Sequence, residues 1–303
     1  MSADTAPRPT ATLWLAGARP RTLPAACSPV IAGTGLAAFE QSASWAAAVL
    51  ALVVSVALQV GVNYANDYSD GIRGTDTERV GPQRLVGSGL ASPPLVKRAA
   101  FLSFGIACLA GLALVIMTQH WWLLAVGAAC VLAAWYYTGG RHPYGYLGLG
   151  EVFVFVFFGL VAVCGTAYVQ VGKVSLATLL TGVWVGALAC AILVANNLRD
   201  IRSDRQAGKR TLATRLGDAR TRALYVILVV LTALLIITVT LLTTWWALGG
   251  LVGLILIIPA VRVVTSGAGG LALIGVLKTT GLAELASSVG FATGLILAAV
   301  WFA

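Results

Sequence analysis

WAAAVLALVVSVALQVGVNYANDYSDGIRGTD, residues 45–76, runs without interruption from membrane-like apolar sequence into charge. Nothing between Trp45 and Asn66 is ionisable as a carboxylate or an amine; then Asp67, Asp70, Arg73 and Asp76 follow in quick succession. About 20 apolar residues suffice to cross a bilayer core, so the run predicts a spanning helix that ends in three carboxylates. An ionisable side chain at such a place is costly and by default marks function.

The rest of the chain supports a membrane setting. Of 303 residues, 59% are hydrophobic and 10% charged, against roughly 25% charged in soluble domains. The apolar runs are long and unbroken, unlike barrel strands that alternate over about ten residues. They predict an all-α polytopic protein of about nine spanning helices, near 23–39, 44–66, 94–117, 121–138, 148–171, 174–199, 219–242, 244–264 and 280–302. The first is short and interrupted by proline, and the last contains Glu284. The polar start MSADTAPRPT is not followed by a signal-like core and cleavage site, so the first apolar segment is expected to be retained. The chain reads as a single domain, 1–303. The five cysteines all fall in apolar runs and suggest neither a zinc site nor a disulfide framework. His120 and His142 lie in predicted loops, which disfavours a histidine metal site.

With the N-terminus inside, every lysine and arginine except Lys173 falls on the inner side. This bias supports the helix layout and orients the two long loops, 67–93 and 199–218, toward the cytoplasm. The net charge of +9 is then mostly topology; no nucleic-acid motif accompanies it. Trp121, Trp122, Trp245 and Trp246 fall at the predicted outer interfaces, where membrane aromatics gather.

A second acidic stretch, NNLRDIRSDRQAGKRTLATRLG (196–217), closes the sixth predicted helix as the first closes the second. Aligning Asn63 with Asn197 brings Asn66 onto Asp200 and Asp70 onto Asp204. Both triplets run i, i+3, i+7, along one helical face. The two motifs stand a little under half the chain apart, which suggests two weakly related halves. Asp200 and Asp204 repel one another by roughly 0.2–0.5 kcal/mol if exposed, and by more if desolvated. A hard divalent cation relieves this, and Mg²⁺ usually takes one or two carboxylates plus phosphate oxygens. The surrounding arginines and Lys209 add phosphate donors. The pattern therefore reads as a two-sided clamp on a Mg²⁺-bound diphosphate with a lipid tail. Two other readings stay open on residues alone: interfacial carboxylates paired with loop arginines, and a proton- or cation-coupled transporter. A transporter would place its carboxylates nearer the bilayer midplane. DYSDG also opens like a CDP-alcohol phosphotransferase motif, but that motif needs its second DxxxD soon after, and here DIRSD lies far downstream.

NDYSDGIRGTD and DIRSD, after the second and sixth of nine helices, resemble the paired aspartate-rich motifs of the UbiA-type intramembrane prenyltransferases, NDxxDxxxD and DxxxD. The resemblance spans nearly the whole chain. Asp76 comes six positions after Asp70 rather than four. In this, and in RPRTLPAACSPVIAG (19–33), GPQRLVGSGLASP (81–93) and GYLGLGEVFVFVFFG (145–159), the chain is similar to the branch that prenylates 1,4-dihydroxy-2-naphthoate. The resemblance implies nine helices around a central cavity in a bacterial cell membrane, with the active site facing the cytoplasm. It implies two Mg²⁺ ions, a polyprenyl diphosphate donor and the naphthoate acceptor, with loss of CO₂ and formation of demethylmenaquinone; another aromatic acceptor is the alternative. Asn66 and Asp70 would hold one ion, supported by Asp67 and Asp76, and Asp200 with Asp204 the other. Arg141, Lys209, Arg210 and Arg73 are the candidate diphosphate contacts; each also serves as a positive-inside anchor. Tyr137, Gln59, Asn63 and Asn197 are candidates for the cavity wall. Arg19 and Arg21 could meet the acceptor carboxylate, though N-terminal topology also explains them. Glu151 could orient an acceptor hydroxyl or take its proton, or be a buried partner of Arg19 or Arg141.

Overall fold

A computed structural model describes residues 10–74 and 84–301. Among these the chain is helical with no strand. A short helix α1 (Ala11–Gly17) precedes α2 (Leu23–Phe39), α3 (Trp45–Ile72), α4 (Pro93–Thr118), α5 (Leu123–Tyr136) and α6 (Gly150–Val171). Then follow α7 (Leu176–Gln206), α8 (Leu212–Leu242), α9 (Trp245–Thr265) and α10 (Ala272–Trp301). Eight stretches are long and apolar enough to span a bilayer; α5 is apolar but shorter, 14 residues. The count agrees with the sequence-based layout, and the protein is an integral membrane protein.

Boundaries moved where charge had suggested a loop. α3 continues to Ile72 and α7 to Gln206, so Asn66, Asp67 and Asp70 of the first motif, and Asp200 with Asp204 of the second, lie on the closing turns of helices. Asn and Asp are weak helix formers; here tertiary partners for their side chains hold the helix together. α3 ends at Ile72 with Arg73 as its cap, and the chain turns away at Gly74, whose left-handed φ of 68° a residue with a Cβ would resist. α10 begins before the predicted start, at Ala272. α8 begins earlier too, across a break at Gly217 (φ 76°).

Helix pairs follow the chain: α3 packs along α4, α7 along α8, and α10 against α2 and α9. Apolar–apolar burial gains little in lipid, so close backbone approach and polar contacts do the work. α6 crosses α7 at Gly159, where an added Cβ would meet the Gly182 carbonyl at 2.5 Å. Just past Glu151, α6 widens into a π-helix over Phe155–Val161, a local distortion common at functional sites. The core of the second half centres on Trp184, Tyr225 and Phe291. Glu284 is fully buried on α10, and its carboxyl oxygens have no hydrogen-bond partner among the described residues. Lys173 pairs with Glu40 at 3.0 Å, joining two loops of the predicted outer side. The four interface tryptophans are exposed, as a lipid boundary requires. Of the cysteines, only Cys190 is buried; Cys108 is exposed and lines the cavity described below.

Candidate functional site

α3 and α7 bring their motif faces to one cavity of about 630 Å³. Its polar end is walled by Asn66 and Asp70 from α3, and by Asn197, Asp200 and Asp204 from α7. Arg84 and Lys209 complete that end from the adjoining loops. Away from it the wall becomes apolar: Ala107, Leu114 and Val115 of α4, Leu124 and Val131 of α5, Phe157 and Val161 of α6. The space is thus charged at the end where both motif helices stop and oily along α4–α6.

The first motif divides its labour within a single turn. Asn66 accepts a hydrogen bond from the Thr138 hydroxyl (2.8 Å), which fixes its amide at the cavity wall. Asp70 accepts from the Tyr146 hydroxyl and lies 3.7 Å from the Lys209 ammonium. Asp67 points elsewhere. It is 1% exposed, it is not part of the cavity wall, and its two oxygens accept the backbone N–H groups of Leu85 and Val86 at 2.9 Å each. Asp67 anchors the turn that carries Arg84. Gly71 permits that turn to lie against α3, because a Cβ there would collide with the Val86 side chain. Asp76 lies outside the described residues.

On α7, Asp200 and Asp204 are both buried at the cavity. Asp200 has a counter-ion beside it in sequence: Arg199 Nε and Nη2 donate to its two oxygens at 2.6 and 2.5 Å. Arg199 also holds the Asn196 side chain at 2.9 Å, and only 3% of its own side chain is exposed. Asn197 donates to Glu151 Oε1 at 2.9 Å. Glu151 is buried behind Asn197 and is not part of the cavity wall. Its partner among the described residues is thus neither Arg19 nor Arg141.

The basic candidates separate. Lys209 reaches the cavity. Arg73 stands at its rim, donating to the Thr138 and Gly140 carbonyls. Arg141, Arg210 and Arg21 are exposed and outside the wall. Arg19 does line the cavity, in a left-handed conformation (φ 53°) uncommon for a side chain of its size, with a long hydrogen bond of 3.5 Å to the Asn63 carbonyl. Gln59 and Asn63 line it too, tied to Thr22 at 2.9 and 3.0 Å. Tyr137 is on the wall, edge-on to Tyr144, which stacks on Phe153 at 3.9 Å. Burial pushes the Tyr144 phenol up, so it remains a neutral donor, to the Ala133 carbonyl at 2.7 Å.

Sequence reasoning passed over Arg84, Arg199, Thr138 and Tyr146. Arg84 had counted only toward topology. The adjacency of Arg199 to Asp200 could have flagged an ion pair; Thr138 and Tyr146 carry no local signal.

Among the described residues no three acidic, histidine or cysteine side chains cluster closely enough to hold a metal by themselves. That is what Mg²⁺ would need least. Asn66 and Asp70 of α3 and Asp200 and Asp204 of α7 supply hard oxygen donors to one space, and Mg²⁺ prefers few carboxylates completed by phosphate oxygens. The donor set fits.

Comparison with known proteins agrees with this arrangement. The model of the UbiA prenyltransferase family matches residues 26–272. The 1,4-dihydroxy-2-naphthoate octaprenyltransferase of Mycobacterium tuberculosis is 56% identical over 93% of this chain and 96% of its own length. The protein of the same name from Escherichia coli is 41% identical over 72% of each chain. A UbiA homolog from Archaeoglobus fulgidus, solved bound to GPP and Mg²⁺, shares the fold at a TM-score of 0.66 and 16% identity, covering 91% of this chain and 99% of that one.

Proposed function

The chain belongs to the UbiA prenyltransferase family, and on that premise we propose that it transfers a polyprenyl group from an allylic polyprenyl diphosphate to 1,4-dihydroxy-2-naphthoate. CO₂ and diphosphate leave, and demethylmenaquinone is formed. Identity to curated naphthoate prenyltransferases over nearly the full chain supports the acceptor. The observation that carries the chemistry is the cavity itself, with two acidic faces at one end and apolar helices beyond. The chain acts as one prenyltransferase domain of two weakly related halves, in the bacterial cell membrane. Its site faces the cytoplasm, as the distribution of Lys and Arg favours.

Asn66 and Asp70, joined by Asp76, would hold one Mg²⁺, and Asp200 with Asp204 a second. Bound Mg²⁺ supplies charge neutralisation to the departing diphosphate. Lys209 and Arg84 donate to phosphate oxygens from the same end, and charge preorganised in this way usually contributes most to lowering a barrier. The bond from the prenyl C1 to the bridging oxygen breaks, and the apolar wall along α4–α6 keeps water from the allylic cation. The electron-rich ring attacks C1 at the carbon that bears the carboxylate, and that carboxylate leaves as CO₂ with its bonding electrons returned to the ring. Arg19, which lines the cavity with Gln59, Asn63 and Thr22, would receive the acceptor carboxylate before it is lost. Glu151 orients the Asn197 amide at the wall.

Mass spectrometry of products tests this. Detergent-solubilised protein with Mg²⁺ and a panel of prenyl diphosphates should prenylate dihydroxynaphthoate with loss of 44 mass units, the mass of CO₂, and leave 4-hydroxybenzoate largely unmodified (about a hundredfold, or 2.7 kcal/mol, in kcat/KM). Prenylation of the benzoate alone would overturn the acceptor, and no product with any acceptor would overturn the activity.

A further inference from the structure

We propose that Tyr146, which neither acidic motif contains, is a positioning residue that fixes the Asp70 carboxylate and the Lys209 ammonium relative to one another. The first motif and the loop after the second would then meet the diphosphate as one unit. The inference rests on the reading of this cavity as a prenyl diphosphate site.

Tyr146 belongs to the turn Tyr144–Leu147 between α5 and α6. That turn is a fixed post. The Gly145 N–H donates to the Tyr137 carbonyl and the Tyr146 N–H to the Pro143 carbonyl, each at 3.0 Å. From this post Tyr146 reaches the first motif and the loop after the second. Its hydroxyl donates to Asp70 Oδ1 on α3. The Lys209 ammonium lies 4.5 Å from its ring centroid and 3.7 Å from that same Asp70 oxygen. Arg73, one helical turn beyond Asp70, places its guanidinium 5.5 Å from the ring. The Tyr146 carbonyl accepts the Arg210 N–H at 2.9 Å, which ties the turn to the backbone right after Lys209.

Each contact removes freedom that a diphosphate would otherwise have to remove on binding. Lysine carries its charge on a flexible four-carbon stem, and an aromatic face restrains that charge by direct attraction. A hydrogen bond to an ionised carboxylate is among the stronger ones and sets its orientation. Tyr146 performs both tasks with one side chain, while α3 and the 207–211 loop reach the site from opposite sides.

The test is calorimetric titration of the full-length, detergent-solubilised protein with geranyl S-thiolodiphosphate, which resists ionisation, in the presence of Mg²⁺. Tyr146→Phe keeps the ring and removes only the hydroxyl. It should bind about tenfold more weakly, as expected for a lost hydrogen bond to a charged group. Tyr146→Leu, which also removes the ring face, should weaken binding by about a further threefold or more. The melting temperature of Tyr146→Phe and its KM for dihydroxynaphthoate should stay at wild-type values. Wild-type affinity in Tyr146→Phe would overturn the inference, as would a raised acceptor KM with unchanged analogue binding. The near-isosteric Phe variant decides the matter even if the Leu variant does not fold. Failure of the wild-type protein to bind the analogue would instead refute the reading of the cavity, and the inference with it.

Discussion

Replacing Asp67 with asparagine is expected to cost stability first and catalysis second, whereas the same change at Asp70 is expected to do the reverse. Asp67 is 1% exposed and uses both oxygens to receive the N–H groups of Leu85 and Val86 at 2.9 Å. An asparagine offers one oxygen and one NH₂ in the same place. One backbone N–H keeps a weaker, neutral bond, and the other faces a donor. A charge-assisted hydrogen bond contributes about 1.5–3 kcal/mol, and a buried donor left unsatisfied costs about 1–3 kcal/mol. The variant should therefore lose about 2–4 kcal/mol. With roughly 2–4 °C per kcal/mol for large domains, its Tm should fall by about 4–16 °C. Arg84 directly precedes the released turn and lines the cavity, so KM for the prenyl diphosphate should rise while kcat is largely kept. Asp70→Asn should unfold within about 2 °C of wild type yet lose about a hundredfold or more in kcat, the loss of roughly 2.7 kcal/mol of transition-state stabilisation. Scanning fluorimetry of detergent-solubilised protein, paired with initial rates, measures both. An unchanged Tm in Asp67→Asn together with a kcat as low as that of Asp70→Asn would refute the reasoning, since Asp67 would then belong to the chemistry.

Three further outcomes are expected. Asp70→Ala and Asp204→Ala should each abolish prenyl transfer with little loss of folded protein, and full activity in either would sink the two-sided clamp. EDTA should stop turnover and added Mg²⁺ restore it; activity that persists in chelator would rule out a bridging ion. Arg199→Ala should destabilise the fold by about 3–5 kcal/mol, because it strips a buried carboxylate, Asp200, of its two-pronged partner; thermal unfolding indistinguishable from wild type would show that the pair is idle.

Much of this was legible in the chain. Apolar runs of spanning length gave the helices, because bilayer thickness acts on local sequence. The i, i+3, i+7 spacing placed Asn66 with Asp70, and Asn197 with Asp200 and Asp204, on cavity-facing stripes, because helical periodicity is local too. Spacing also set Asp67 beside its neighbours without telling which way it faces. Its i+1 offset from Asn66 turns it about 100° around the helix, toward the turn that carries Arg84.

The remainder depended on contacts between segments distant in the chain. Arg84 and Arg141 look alike as loop arginines inside the bilayer's positive rim, yet one is buried at the cavity and the other exposed. Glu151 looked like a candidate base, and only the packing of α6 on α7 sets it behind Asn197. Tyr146 had no local signal at all, because its significance lies in touching Asp70, Arg73 and Lys209 together. Sequence thus determined the membrane fold and the acidic stripes that reach the cavity, which follow from composition and period. Tertiary structure decided which charges converge, because convergence is fixed by helix crossings and turn geometry that no single segment encodes.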